Sequence, residues 1–204
     1  MLALNERLFL LINASAHPDG ALVAFASFVA NDVVVAVALV LVASWAWGDH
    51  GKRAALLATA GATLVALGVN QLLGHLWYEP RPFMIGLGHT LSPHAAENSF
   101  PSDHGTFMFT IGLGLLATGA SRFWGIVVCL AGVAVAWARV YLGVHFPIDM
   151  AGSAMVAGAC SLLAAAAERP LGRHVVPFGN RLYDRSLDLL RFPSTLFPRT
   201  RSRA

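Results

Sequence analysis

The chain has 204 residues, 56% of them hydrophobic and only 12% charged, with a mean hydropathy of +0.62. A soluble domain carries about a quarter charged residues, so the composition excludes an ordinary soluble domain and points to one integral membrane bundle. The net charge of +3 is small; its distribution is informative, and no nucleic-acid partner is expected.

Residues 2–14 predict one amphipathic helix, too short to span, lying at the interface or re-entrant. Glu6 and the lack of a clean cleavage site argue against a signal peptide. The turn "HPDG" (17–20) leads to a first span over 21–47, in which Asn31 and Asp32 are expected to mark a helix break or to partner a polar group in the bundle. The polar turn "GDHGKR" (48–53) precedes a second span, 54–77, whose Asn70 and Gln71 are expected to hydrogen-bond between helices. A loop bearing Pro, Gly and His covers 78–102. The third span, about 104–119, is short if read strictly; "GASR" (119–122) turns into a fourth over 123–141, and "GVHFP" (143–147) into a fifth over 147–167. A span needs roughly 20 apolar residues. The expected fold is therefore all-α: a polytopic transmembrane bundle of about five spans plus a short N-terminal helix. Cys129 and Cys160 sit in apolar runs without metal-ligand spacing and read as small buried residues.

The division expected is a membrane domain over 1–167 and a basic cytoplasmic tail over 168–204. Within the tail, "RLYDRSLDLLRF" (181–192) reads as a surface amphipathic helix or as solvated chain, the second being favoured. If the turns alternate sides, Lys52, Arg53, Arg122 and the arginines from Arg169 to Arg203 fall together, and the positive-inside rule makes that side cytoplasmic. Arg81 and Arg139 lie against this trend, at the opposite face, and need another reason to be there.

That face collects "EPRPF" (79–83), "PSDH" (101–104) and "ARVYLGVHFPID" (138–149). Ionisable groups near the hydrocarbon boundary are costly and are functional candidates. Arginines fork around phosphate oxygens. Ser102 is a plausible N-cap of the third span, and a helix N-terminus is an anion site. His145 and Asp149 are four apart across Pro147, where a helix can start, and a carboxylate beside a histidine fixes its tautomer and raises its basicity. The pieces read as a phosphate cradle with two histidines.

These residues resemble the phosphatidic acid phosphatase type 2 superfamily, whose pattern is Lys-x6-Arg-Pro, Pro-Ser-Gly-His and Ser-Arg-x3-Gly-x-His-x3-Asp. The three parts correspond to "GHLWYEPRP" (74–82), "PSDH" and "ARVYLGVHFPID", with Arg139, Gly143, His145 and Asp149 at the family spacing. Gly74 stands at the Lys position, Asp103 at the Gly and Ala138 at the Ser. The stretch "PRPFMIGLGHTLSPHAAENSFPSDHGT" is similar to one branch, the bacterial undecaprenyl-diphosphatases of the bacitracin-resistance type. The resemblance implies that His145 attacks the terminal phosphorus to form a phosphohistidine, that Asp149 orients it, and that His104 protonates the leaving oxygen and then activates water. Arg81, Arg139 and the backbone N–H groups of Ser102 and Asp103 would hold the phosphate. No metal or cofactor is implied. The partners would be a polyprenyl diphosphate and the bilayer of a bacterial inner membrane, with the site facing the periplasmic or extracellular side and the C-terminus cytoplasmic.

Asp103 has two further readings, favouring the helix dipole or tuning His104, and its carboxylate is expected to point away from the phosphate. His75, His89, His94 and Glu97 share the loop face without a standard metal spacing, so solvated side chains are expected, with His75 a possible substrate contact in place of the missing Lys. Trp45, Trp47, Trp77 and Tyr78 fit aromatic belts. The rivals are a phosphatase of the same superfamily acting on phosphatidic acid or phosphatidylglycerophosphate, and a small lipid or ion transporter. A transporter wants ionisable groups near the midplane, and only Asp32 fits that.

Overall fold

A computed structural model of the chain describes residues 2–197 together with 199 and 200. Arg201 and Arg203, counted in the charge asymmetry, lie outside the described residues. The elements are helical: α1 (Leu2–Ile12), α2 (Gly20–Ala46), α3 (His50–Leu76), a 3-10 turn (Pro82–Ile85), α4 (Asp103–Ala117), α5 (Arg122–Tyr141), α6 (Pro147–His174) and α7 (Val176–Leu189). Among the described residues α2, α3, α5 and α6 are long and apolar enough to cross a membrane. The all-helical, multi-pass architecture is the one expected. The third span, α4, has only 15 residues and at 1.5 Å per residue falls short of a hydrocarbon core of about 30 Å.

The helix starts follow their caps. The Asp49 side chain accepts from Lys52 N–H, so α3 begins at His50 and takes up part of the polar turn expected over 48–53. Asp19 and Ser121 cap α2 and α5 in the same way. Helix α2 runs unbroken through Asn31 and Asp32; Asn31 returns its amide to the Ser27 carbonyl, and Asp32 is exposed on the flank of the bundle. Helix α6 continues past Pro170 to His174.

Helix α4 sits at the centre, packed on α3, α5 and α6, with α2 leaning chiefly on α5. Small residues allow this proximity: a Cβ on Gly112 of α4 would lie 2.5 Å from Cys129 Sγ of α5. The short central helix thus has its N-terminus inside a ring of longer helices, and that end carries His104.

At the opposite end, α7 folds back on the α2–α3 turn. Arg53 is 1% exposed. Its guanidinium lies 4.6 Å from the ring centroids of both Trp45 and Tyr183 and donates to the carbonyls of Trp45 (3.0 Å) and Ala46 (2.8 Å) and to Asn180 Oδ1 (2.6 Å). This part of the tail is therefore held on the bundle instead of being free in solvent, because Arg53 needs the acceptors and faces it supplies. Arg53→Ala leaves buried acceptors unpaired at about 1–3 kcal/mol each. The expected outcome is that limited proteolysis cuts 176–189 at least about tenfold faster, while Arg53→Lys, lacking the planar fork, restores little of the protection.

Candidate active site

The centre of the site is the turn between α5 and α6. Gly143 has φ +80°, and a Cβ there would lie 2.1 Å from the His89 carbonyl oxygen, so neither the conformation nor the space admits a side chain. Gly143→Ala is expected to lower the thermal midpoint in detergent by several degrees, at a cost of about 1–3 kcal/mol, and to lower activity by displacing His145. Helix α1 and the residue that follows it brace the same turn: Asn13 Nδ2 donates to the carbonyls of Tyr141 and His89, Asn5 Oδ1 accepts Ile148 N–H, and Phe9 packs on Phe146 with ring centroids 5.3 Å apart.

Beyond this turn, Pro147 starts α6 and Asp149 in its first turn reaches back to accept Phe146 N–H at 2.8 Å. The same Oδ2 lies 3.1 Å from His145 Nδ1 and accepts Ser99 Oγ–H at 2.5 Å. Three donors on one carboxylate oxygen fix the fully buried Asp149 side chain, and the imidazole proton lies on Nδ1. The lone pair of Nε2 then faces the cavity, 3.0 Å from Arg81 Nη1. Burial pushes the His145 pKa down to about 4, against the raising effect of Asp149, so the imidazole is neutral at pH 7. A neutral, oriented imidazole is a nucleophile.

Two guanidiniums flank it. Arg81, leading into the 3-10 turn, is 4% exposed and also donates to Val144 O at 3.0 Å and to Glu97 Oε1 at 3.3 Å. Arg139, in the last turn of α5, is 3% exposed and places Nη2 3.1 Å from His94 Nε2. The buried Nε atoms of both lack a hydrogen-bond partner among the described residues. A buried cationic donor left unpaired is costly, and an anion in the cavity would satisfy it.

The third wall is the N-terminus of α4. Ser102 is its N-cap, its Oγ facing Gly105 N–H at 3.4 Å, and its carbonyl is held by Ser153 Oγ. His104 and Asp103 line the cavity, whereas Ser102 and Asp149 support the wall from behind. The Asp103 carboxylate is taken by α3, accepting from Asn70 Nδ2 (2.8 Å) and Gln71 Nε2 (3.2 Å). It ties α4 to α3, and this is the interhelical bonding expected of Asn70 and Gln71.

The cavity enclosed is about 460 Å³. It brings together Arg81, Arg139, His104, His145, Asp103 and His75 of the residues singled out from the sequence. Gly74 lines it where the family pattern has Lys; a Cβ there would lie 3.0 Å from Asn98 Nδ2, so Asn98 fills the space. His75 turns its Nδ1 to the Gln71 carbonyl at 2.7 Å. Sequence reasoning passed over Ser99 and Asn98, read Tyr78 as part of an aromatic belt although it lines the cavity, and treated His94 and Glu97 as solvated. Their loop has no periodicity to mark an inward side; the one available signal was its density of His, Asn and Ser just ahead of "PSDH". His94 and Glu97 instead reach the two arginines. Among the described residues no three His, Cys, Asp or Glu side chains group as a metal site.

An oriented neutral imidazole, a second histidine and two buried guanidiniums with unsatisfied Nε donors, opening at one end of a membrane bundle, suit a phosphorylated head group. The class is that of membrane lipid phosphatases. The profile of the PAP2 superfamily matches residues 55–171, which include the cavity and both histidines of the turn and α4. YbjG of Escherichia coli, provisionally named an undecaprenyl-diphosphatase, is 42% identical over 79% of this chain and 81% of its own. The undecaprenyl-diphosphatase BcrC of Bacillus subtilis is 34% identical over 76% and 79%. The crystal structure of Aquifex aeolicus LpxE superposes with a TM-score of 0.68, covering 80% of this chain and 95% of that one at 24% identity, a likeness of fold. The chain belongs to the PAP2 superfamily.

Proposed function

We propose that this protein hydrolyses undecaprenyl diphosphate to undecaprenyl phosphate and inorganic phosphate, recycling the cell-wall lipid carrier. The observation that carries the reading is one cavity lined by two buried guanidiniums and an Asp-oriented histidine, with Arg81 3.0 Å from the histidine's Nε2. The names of the relatives in Escherichia coli and Bacillus subtilis support the substrate.

In the first step Nε2 of His145 attacks the terminal phosphorus in line, forming an N–P bond as the bridging P–O bond breaks. Asp149 stabilises the imidazolium that develops. His104 gives its proton to the departing oxygen of the lipid monophosphate. In the second step His104 takes a proton from water, whose oxygen attacks the phosphohistidine and releases phosphate. Arg81, Arg139 and the first-turn N–H groups of α4, around Ser102 and Asp103, hold the equatorial oxygens, where charge gathers in phosphoryl transfer. His75 is at hand for a further substrate contact. These groups supply the charge and the proton transfers, and the scheme draws on no metal.

The basic residues orient the bundle so that the site opens to the periplasmic or extracellular side, with residues 1–167 as the phosphatase domain and 168–204 at the cytoplasmic surface. The lipid tail stays in the bilayer while the head group enters the cavity. The test is phosphate release by the purified protein, in detergent with EDTA, from undecaprenyl diphosphate, phosphatidic acid and phosphatidylglycerophosphate. Preference for the polyprenyl diphosphate is expected. Preference for a glycerolipid would overturn the substrate, and activity lost to EDTA and restored by a divalent ion would overturn the scheme.

A further inference from the structure

The cavity's fixed charges do not favour an anion as strongly as two buried arginines suggest. Arg81 and Arg139 are faced by Glu97 and Asp103 on the lining, with Asp149 behind it. A phosphate monoester carries about −1.5 to −2 charge at pH 7, and a diphosphate at least as much. The end of α3 adds no fixed cation, since Gly74 lies against Asn98. More positive charge has to come from groups that are neutral while the cavity is empty.

His94 is placed to provide it. Its ring lies edge-on to that of His145, centroids 6.2 Å apart, and its Nε2 lies 3.1 Å from Arg139 Nη2. A guanidinium only donates, so in this state Nε2 accepts and the ring's proton is on Nδ1. An arriving phosphate oxygen competes for that Arg139 N–H. Once it is taken, Nε2 loses its donor and faces an anion, the condition under which an imidazole binds a second proton. We propose that His94 is a substrate-binding residue that takes up a proton from water as the diphosphate binds and donates Nε2–H to it, giving the site a third cation. The proposal rests on the phosphatase reading of the same cavity.

The titratable and charged groups that line the cavity with His94 are Arg139 from α5, Tyr78, Arg81 and Glu97 from its own loop, His145 from the α5–α6 turn, His104 and Asp103 from α4 and His75 from α3. In the empty enzyme burial and the two guanidiniums hold its pKa at about 4, so it is neutral through the working range. In the complex the phosphate raises that pKa. The sign follows: the contribution of His94 to affinity is present below the pKa of the complex and is lost as pH rises through it. A fixed cation would show no such loss.

The test is KM and kcat for undecaprenyl diphosphate between pH 5.5 and 8.5 with the wild type, His94→Gln and His94→Lys. The expected result is a KM raised about tenfold or more at pH 6 in His94→Gln, the worth of one charge-assisted hydrogen bond, with the larger part of the loss in KM and not kcat. The wild-type KM climbs toward the His94→Gln value as pH rises, and His94→Lys stays below it at pH 8. A His94→Gln KM that tracks the wild type at every pH, or a His94→Lys no better than His94→Gln, would overturn the proposal. Should neither variant fold, a wild-type KM that is flat between pH 6 and 8 overturns it equally. His145→Ala runs alongside: its full activity would sink the phosphatase reading, whereas its loss beside an unaltered His94→Gln sinks only the role of His94.

Discussion

His145→Ala is expected to lower kcat for undecaprenyl diphosphate by about 10⁴-fold or more, with the protein still eluting as a folded species in detergent. The side chain faces the cavity and bonds Arg81, Ser99 and Asp149, all of which keep other partners, so the loss falls on chemistry. His104→Ala is expected to lose less, about 10²–10⁴-fold, the usual scale of a general acid or base. The two losses also differ in kind. A substrate with a good leaving group, such as a nitrophenyl phosphate, needs no proton at the departing oxygen. His104→Ala therefore regains rate on it at the phosphorylation step, and His145→Ala does not. The kcat/KM values on both substrates, which report the phosphorylation step alone, check this, and equal losses in kcat/KM on both for His104→Ala would remove it from the acid role.

Asp149→Asn is expected to lower kcat by about 10³–10⁴-fold, the scale seen when the orienting carboxylate of a nucleophile–base system is neutralised. The amide oxygen can still accept from Phe146 N–H and Ser99 Oγ–H. Its NH₂ group then occupies the place of Asp149 Oδ1, a buried atom with no partner among the described residues, and the negative charge that stabilises the developing imidazolium is gone. The pH dependence gives a second readout. His145 must be neutral to attack, so kcat/KM falls as pH drops through its pKa, which burial has already lowered to about 4 and Asp149 holds up. Removing the Asp149 charge moves this acid limb to lower pH while the plateau falls. A limb moving to higher pH would mean that Asp149 does not act on His145.

The membrane bundle was legible because hydropathy reports directly on burial in lipid, and the boundaries of α2 and α5 agree with the apolar runs to within a residue. The α5–α6 turn was legible because spacing across Pro147 is local: His145 and Asp149 meet within one helical turn. Long-range contacts were not. Asp103 stood next to His104 in sequence, yet its partners are Asn70 and Gln71, over thirty residues away on α3. Ser99 reaches Asp149 across fifty residues, and nothing in a loop without periodicity says which of its polar side chains turns inward. The same limit applies to α7, whose amphipathic pattern suits a lipid surface as well as it suits the Trp45–Arg53 cage it packs on. Of the two readings of Asn31 and Asp32, a helix break or a polar partner in the bundle, the break is not found, because an Asn amide can return to the carbonyl four residues back and leave the helix continuous.

The central claim is a covalent phosphohistidine on His145, and the stereochemistry at phosphorus tests it most directly. Undecaprenyl diphosphate would carry a terminal thiophosphoryl group made chiral with oxygen isotopes, and the configuration of the released thiophosphate would be determined. Two successive in-line displacements, by His145 and then by water, predict overall retention. Inversion would show a single direct attack by water and would contradict the account.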